Sequence, residues 1–111
     1  MFNLDTDTGT ITIIKKDTAS FDVSLDNHDF TDGDVVTFTV APVVESEEPL
    51  LQKKVTEFNE DGTCTINLLS SDTRDIEIGE YLYDVQVDLA DGRVDTFLGP
   101  KKFKLLGGVT F

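Results

Sequence analysis

Residues 80–89 read Glu-Tyr-Leu-Tyr-Asp-Val-Gln-Val-Asp-Leu. Tyr81, Tyr83, Val85, Val87 and Leu89 fall on one side and Asp84, Gln86 and Asp88 on the other, the period of two of an extended strand with one buried face. The alternation recurs along the chain. Residues 19–26 set Phe21, Val23 and Leu25 against Asp22, Ser24 and Asp26; residues 34–41 set Val36, Phe38 and Val40 against Thr37 and Thr39; residues 63–69 set Cys64, Ile66 and Leu68 against Thr63, Thr65 and Asn67. Residues 10–16 predict a first strand. Residues 50–57 predict a weaker one at a sheet edge, where lysines discourage pairing with another chain. Residues 93–98 and 101–106 continue as extended chain broken at Gly99-Pro100, since proline lacks an amide donor and glycine permits a bulge. This predicts one kinked strand or two short ones.

Asp32-Gly33, Asp61-Gly62 and Asp91-Gly92 each stand between strand candidates, and Asp-Gly is a hairpin signal because both residues tolerate positive φ. The pair Asp91 and Gly92 predicts a tight hairpin between Leu89 and Val94. Residues 70–78 are too polar and irregular for a strand and predict a single helical turn capped by Ser70 or Ser71. About seven to eight short strands at this spacing give an all-β, antiparallel, immunoglobulin-like β-sandwich, with a small closed barrel as the rival architecture. Residues 1–111 are expected to form one domain. Around Gly79, the run Asp75-Ile-Glu-Ile-Gly-Glu-Tyr81-Leu-Tyr83 resembles the entry to the penultimate strand of such domains, where a tyrosine hydroxyl bonds back to the corner backbone. Tyr81 is the candidate for that corner. The alternative is that Tyr81 and Tyr83 are simply large inward residues, since immunoglobulin domains proper carry cysteine at the place of Tyr83 and a tryptophan that this sequence lacks.

Composition agrees with strands: eleven valines, six isoleucines and fourteen threonines stand against three alanines, and β-branched side chains suit a pleated surface. Twenty-two acidic and nine basic residues give a formal charge of −13, which repels phosphate backbones and anionic membranes. Nucleic-acid and membrane partners are therefore not expected. No run reaches the roughly 18 apolar residues of a membrane span, and the start, Met-Phe-Asn-Leu-Asp, lacks the basic and apolar regions of a signal peptide.

The successions 13–23 (Ile-Ile-Lys-Lys-Asp-Thr-Ala-Ser-Phe-Asp-Val), 33–40 (Gly-Asp-Val-Val-Thr-Phe-Thr-Val), 79–85 (Gly-Glu-Tyr-Leu-Tyr-Asp-Val) and 91–96 (Asp-Gly-Arg-Val-Asp-Thr) carry a resemblance over about residues 11–106. They look like the small immunoglobulin-like proteins of bacteriophages and prophages of Gram-positive bacteria, and are similar to the N-terminal domain of phage baseplate upper proteins. The resemblance implies a structural module of the tail or virion that packs against other phage proteins, made in the host bacterial cytoplasm and then built into the particle, with no catalytic residues to carry over. Baseplate upper proteins continue into further domains, whereas this sequence ends at Phe111, so an accessory or decorating protein is the other expectation.

The residues offer little for catalysis. His28 lies in a polar linker and reads as a solvated loop residue; Cys64 shares the inward phase of Ile66 and Leu68 and reads as a buried, inert thiol. Abundant carboxylates make a paired-acid signal empty, and the expectation is no enzyme and no cofactor. Calcium is the more substantive alternative, because Asp5 and Asp7 in one cluster and Asp29, Asp32 and Asp34 in another could supply oxygen ligands. Neither cluster fits the helix-loop-helix template: Gly9 falls one position late, and the twelfth position counted from Asn3 is Ile14. The second functional class is thus a calcium- or carbohydrate-binding sandwich that uses acidic loops at one end. The first is an interaction module, with a homo-oligomer as one form of it, and with outward-phased Leu82 and Phe97 and the terminal residues Phe2, Leu4, Val109 and Phe111 as contact candidates. Residues 45–48, Glu-Ser-Glu-Glu, read as a loop tip.

Overall fold

The computed structural model describes residues 2–5, 7–25, 28–42 and 48–108, with the backbone alone at Phe97 and Leu98. Eight strands are formed among them: β1 (Phe2–Leu4), β2 (Ile11–Ile14), β3 (Ala19–Val23), β4 (Val35–Ala41), β5 (Leu51–Val55), β6 (Cys64–Leu68), β7 (Gly79–Asp88) and β8 (Val94–Leu106), with one short helix, α1 (Ser70–Thr73), between β6 and β7. A six-stranded sheet has the order β1-β2-β8-β7-β4-β5, and a two-stranded sheet pairs β3 with β6. The fold is an all-β, immunoglobulin-like sandwich: β3 and β6 take the places of strands B and E, and β4, β5, β7 and β8 those of C, C′, F and G.

The period-two residues meet between the sheets. Val36, Phe38 and Val40 of β4, Tyr83, Val85 and Val87 of β7, Phe103 and Leu105 of β8, Ile11 and Ile13 of β2, and Cys64, Ile66 and Leu68 of β6 are all buried. Phe38 is central. Its ring makes an edge contact with Phe21 at 5.6 Å and tilted contacts with Tyr83 at 5.4 Å and Phe103 at 6.3 Å, geometries that aromatic quadrupoles favour over a face-to-face sandwich.

Several expectations are corrected. The sandwich is not wholly antiparallel, because β2 pairs in parallel with the last four residues of β8, Ile11 opposite Phe103 and Ile14 opposite Leu106. A parallel pair needs a long connection, and nearly the whole chain supplies it here. β2 stops at Ile14, since Lys16 turns to φ 75° and Lys15 N–H bonds Leu106 O at 2.8 Å. β3 stops at Val23, and Leu25 makes only an isolated bridge to His28. At the C-terminus the expected single kinked strand is the alternative that forms, as β8: between its pairings at Leu98 and Lys101 it uses three steps where β7, from Val85 to Tyr83, uses two. Gly99 and Pro100 lie in that bulge.

Of the three Asp-Gly pairs, Asp91-Gly92 alone joins hydrogen-bonded neighbours, with Leu89 N–H to Arg93 O at 2.8 Å and Gly92 N–H to Leu89 O at 2.9 Å. Gly62 makes the same turn, its N–H bonding Asn59 O at 3.0 Å while Asn59 N–H bonds Thr63 O at 3.0 Å, but it lies on the crossing from β5 to the other sheet. Gly33 likewise serves a crossing, from β3 to β4. The helix starts one residue earlier than the serines imply: Leu69 is the N-cap and Ser70 the first helical residue, while the Asp72 carboxylate accepts the Leu69 N–H at 2.7 Å.

Candidate functional site

The connections gather at two ends. One end holds the crossings 24–34 and 56–63 and the hairpin at 89–93; the other holds α1, the start of β7 and the end of β8.

At the turn end Asp34 is 2% exposed, and both of its oxygens are engaged. Oδ2 accepts from Thr31 N–H at 3.1 Å and meets His28 Nε2 at 2.9 Å, while Oδ1 accepts from Ala90 N–H at 2.9 Å. One carboxylate thus ties the β3–β4 crossing to the β7–β8 hairpin. Burial pushes its pKa up, but the His28 bond, the two amides and the His28 charge outweigh that and hold it below the ordinary carboxylate value. His28 is accordingly not a solvated loop residue: it is half-buried and makes an edge contact with Phe30 at 6.0 Å. Phe30 in turn stacks on Phe58 at 5.3 Å, and its N–H bonds Gly62 O at 3.0 Å.

The remaining acids of this end shape turns. Asp61 accepts from Thr63 Oγ1 at 2.7 Å and Thr63 N–H at 3.0 Å, and these bonds, the hydroxyl's first, lower its pKa. Asp91 accepts from Arg93 N–H at 3.0 Å and Arg93 Nε at 2.8 Å; the backbone bond is the main cause of its lowered pKa. Asp29 lies against Gly62, and Asp32 is exposed in the turn before Gly33. In the first acidic cluster, Asp5 Oδ1 accepts from Asp7 N–H at 2.9 Å and Thr8 N–H at 3.3 Å. Among the described residues no group of three or more His, Cys, Asp or Glu side chains gathers as a metal centre. The two clusters do not converge: Asp34 spends its oxygens on the fold.

At the opposite end Tyr81 Oη donates to Glu77 O at 2.5 Å, closing the corner between α1 and β7. Tyr83 is a different element. It is buried, its hydroxyl donates to Gly9 O at 2.5 Å, and burial raises its pKa. Where a disulfide would join the sheets in an antibody domain, Tyr83 instead fixes the β1–β2 turn. Gly79 packs under the Tyr81 ring. Cys64 is fully buried, and burial together with the Asp22 charge pushes its thiol up to about 11, which keeps it from forming thiolate at neutral pH.

The contact candidates scatter. Phe2 stacks on Phe21 at 5.7 Å, and Leu4 packs against the core, so both serve the fold. Leu82 is half-buried on the outer face of β7, opposite Ala41 and Lys102. The Phe97 side chain, Val109, Phe111 and most of the loop tip at 45–48 lie outside the described residues. The large apolar residues that are exposed are others. Val94, at the hairpin end, is 63% exposed, while Ile78 at 59%, Leu69 at 52%, Leu50 at 42% and Leu106 at 40% all lie at the α1 end. Ile78 touches the backbone position of Gly107, directly after Leu106. Alternation along β8 marks Leu106 as outward once Phe103 and Leu105 are inward; Ile78 carries no such signal, because it shares the spacing of buried Ile76. Among the described residues no helix is long and apolar enough to cross a membrane. No protein-family model, curated protein or solved structure matches the chain.

Proposed function

We propose that this chain is a non-catalytic structural and interaction module of a bacteriophage or prophage particle, tail- or baseplate-associated or an accessory virion protein, that docks on other particle proteins. The observation that carries the reading is the uneven distribution of exposed apolar side chains. Four of the five large apolar side chains exposed among the described residues, Leu50, Leu69, Ile78 and Leu106, sit at one end and Val94 at the other, on a chain with a formal charge of −13, and apolar surface amid charge marks a contact site for protein. The choice of a phage particle rests on the resemblance of residues 11–106 to phage immunoglobulin-like proteins.

The test is quantitative peptide mass spectrometry of purified particles from an induced host that carries the gene. The expected result is a fixed copy number per particle, lost in an Ile78→Ser/Leu106→Ser double variant whose melting temperature is unchanged. Recovery of the chain only in the particle-free fraction overturns the reading.

A further inference from the structure

The pairing register of the six-stranded sheet fixes what stands on its outer face. Phe38, Tyr83, Val85, Phe103 and Leu105 turn into the core, so their neighbours along each strand turn out. Ile14 lies opposite Leu106, Leu82 lies opposite Ala41, and Val35 and Val94 both lie opposite Asp88. Val94 and Leu106, exposed at opposite ends of the molecule, thus belong to one face. The outer face of the smaller sheet is different, since β3 and β6 present Ser20, Asp22, Thr65 and Asn67 there.

Charge on the larger face cancels. Its outward positions carry three carboxylates, Glu80, Asp84 and Asp88, and three lysines, Lys54, Lys102 and Lys104, so the formal charge of −13 resides on the ends, the edges and the other sheet. The signs also alternate between neighbouring strands, with the carboxylates on β7 and Lys102 and Lys104 on β8. Lys104 Nζ stands 3.6 Å from Glu80 Oε1. Asp84 is half-buried, and burial raises its pKa with no partner among the described residues to offset it.

We propose that the outer face of the six-stranded sheet packs against the same face of a second copy, about a two-fold axis parallel to the strands and between β7 and β8. Stacked sheets keep their strand directions nearly aligned, and this axis lays β7 of each copy over β8 of the other. Glu80 of each copy then comes over Lys104 of the other, closing a ring of four alternating charges, and Leu82 covers the aliphatic stem of Lys102. A basic partner would be drawn to the acidic ends and edges instead; a face whose charges alternate and cancel matches a face of its own kind. At about 4.8 Å between strands and about 3.3 Å per residue, β8, β7, β4 and β5 offer roughly 600 Å² per copy, and two such faces reach the lower bound of a stable interface, about 1,200 Å². The proposal rests on the reading of exposed apolar side chains as a contact surface, and makes the first particle protein met there another copy of this chain.

The experiment is sedimentation velocity of the purified chain over a concentration series reaching about 500 μM, with dissociation constants taken from the monomer–dimer balance. A reversible dimer is expected. Leu82→Glu, Glu80→Lys and Lys104→Glu are each expected to weaken it at least about tenfold. An equimolar mixture of the Glu80→Lys and Lys104→Glu chains is expected to regain the dimer, because each introduced charge then faces its opposite across the axis. A monomer at the highest concentration overturns the proposal, as does a dimer that Leu82→Glu leaves intact or a mixture that associates no better than either variant alone. A monomer that still enters particles at fixed copy number overturns this proposal alone, whereas a dimer recovered only in the particle-free fraction overturns the particle reading alone.

Discussion

The two ends of the sandwich solve one problem, holding crossings between sheets in place, by different chemistry. At the turn end a buried carboxylate, Asp34, gathers Thr31, Ala90 and His28. At the α1 end a neutral hydroxyl, Tyr81, reaches one carbonyl, Glu77. A buried charge with three partners is strong but conditional, since it works only while ionised and fully bonded. A neutral bond is weaker and indifferent to acid. The difference makes the hold on the turn end depend on ionisation and leaves that on the α1 end independent of it.

The largest effect is expected from Asp34→Ala, which removes the acceptor of the Thr31 and Ala90 amides and of the His28 ring and costs about 3 kcal/mol in denaturant unfolding. Loss below about 0.5 kcal/mol makes the two ends equivalent. Gly62→Ala comes next. At φ 84° a Cβ meets Asp29 at 2.5 Å, whereas at Gly92, with φ 95°, it meets nothing within 4 Å. Gly92→Ala therefore costs only the backbone conformation, about 1 kcal/mol, and Gly62→Ala more; equal costs show that Asp29 yields freely.

Acid separates the ends further. The folded-state pKa of Asp34 lies below its unfolded value, so the stability it contributes is complete above the ordinary carboxylate range and is lost as pH falls from about 5 through its lowered pKa. Thermal unfolding at pH 6 and pH 3 is expected to show a smaller acid-induced drop for Asp34→Asn than for the unaltered chain, while Tyr81→Phe, costing about 1 kcal/mol, leaves the drop unchanged. The smallest effect belongs to Leu69→Ser and Ile78→Ser, within about 0.5 kcal/mol of the starting stability. A larger loss by calorimetry makes those residues part of the fold rather than a contact surface.

Legibility in the sequence follows the range of the interactions. Period two located the buried rows of β4, β6 and β7 because a strand with one wet face writes its orientation into consecutive residues. The same period overran β2 and β3, since only a distant contact, such as Lys16 N–H to Thr73 Oγ1 at 2.8 Å, shows where each strand is released. Asp-Gly pairs marked turns without telling hairpin from crossing, because the local conformation at Gly62 and Gly92 is alike. Asp34 was one acid among five calcium candidates; what distinguishes it is Ala90, 56 residues away. Tyr81 was marked by its corner motif, as its partner lies four residues back, whereas Tyr83 bonds Gly9 across 74 residues. That β6 has β3 as its one sheet neighbour among the described residues was not written anywhere, for no local pattern encodes a strand that is missing.

The parallel pairing of β2 with the end of β8 bears on the order in which the molecule can be assembled. β8 lies third in the six-stranded sheet, between β2 and β7, although it is the last of the eight strands in the chain. During synthesis β1 and β2 emerge first yet have no inner neighbour until residues 103–106 follow, and closing a loop of that length is slow. Until then Ile11 and Ile13, fully buried in the finished molecule, face solvent on a nascent chain. A late ribosomal pause therefore prolongs exposure of the earliest strands rather than the latest, which makes the opening residues the place where misassembly begins.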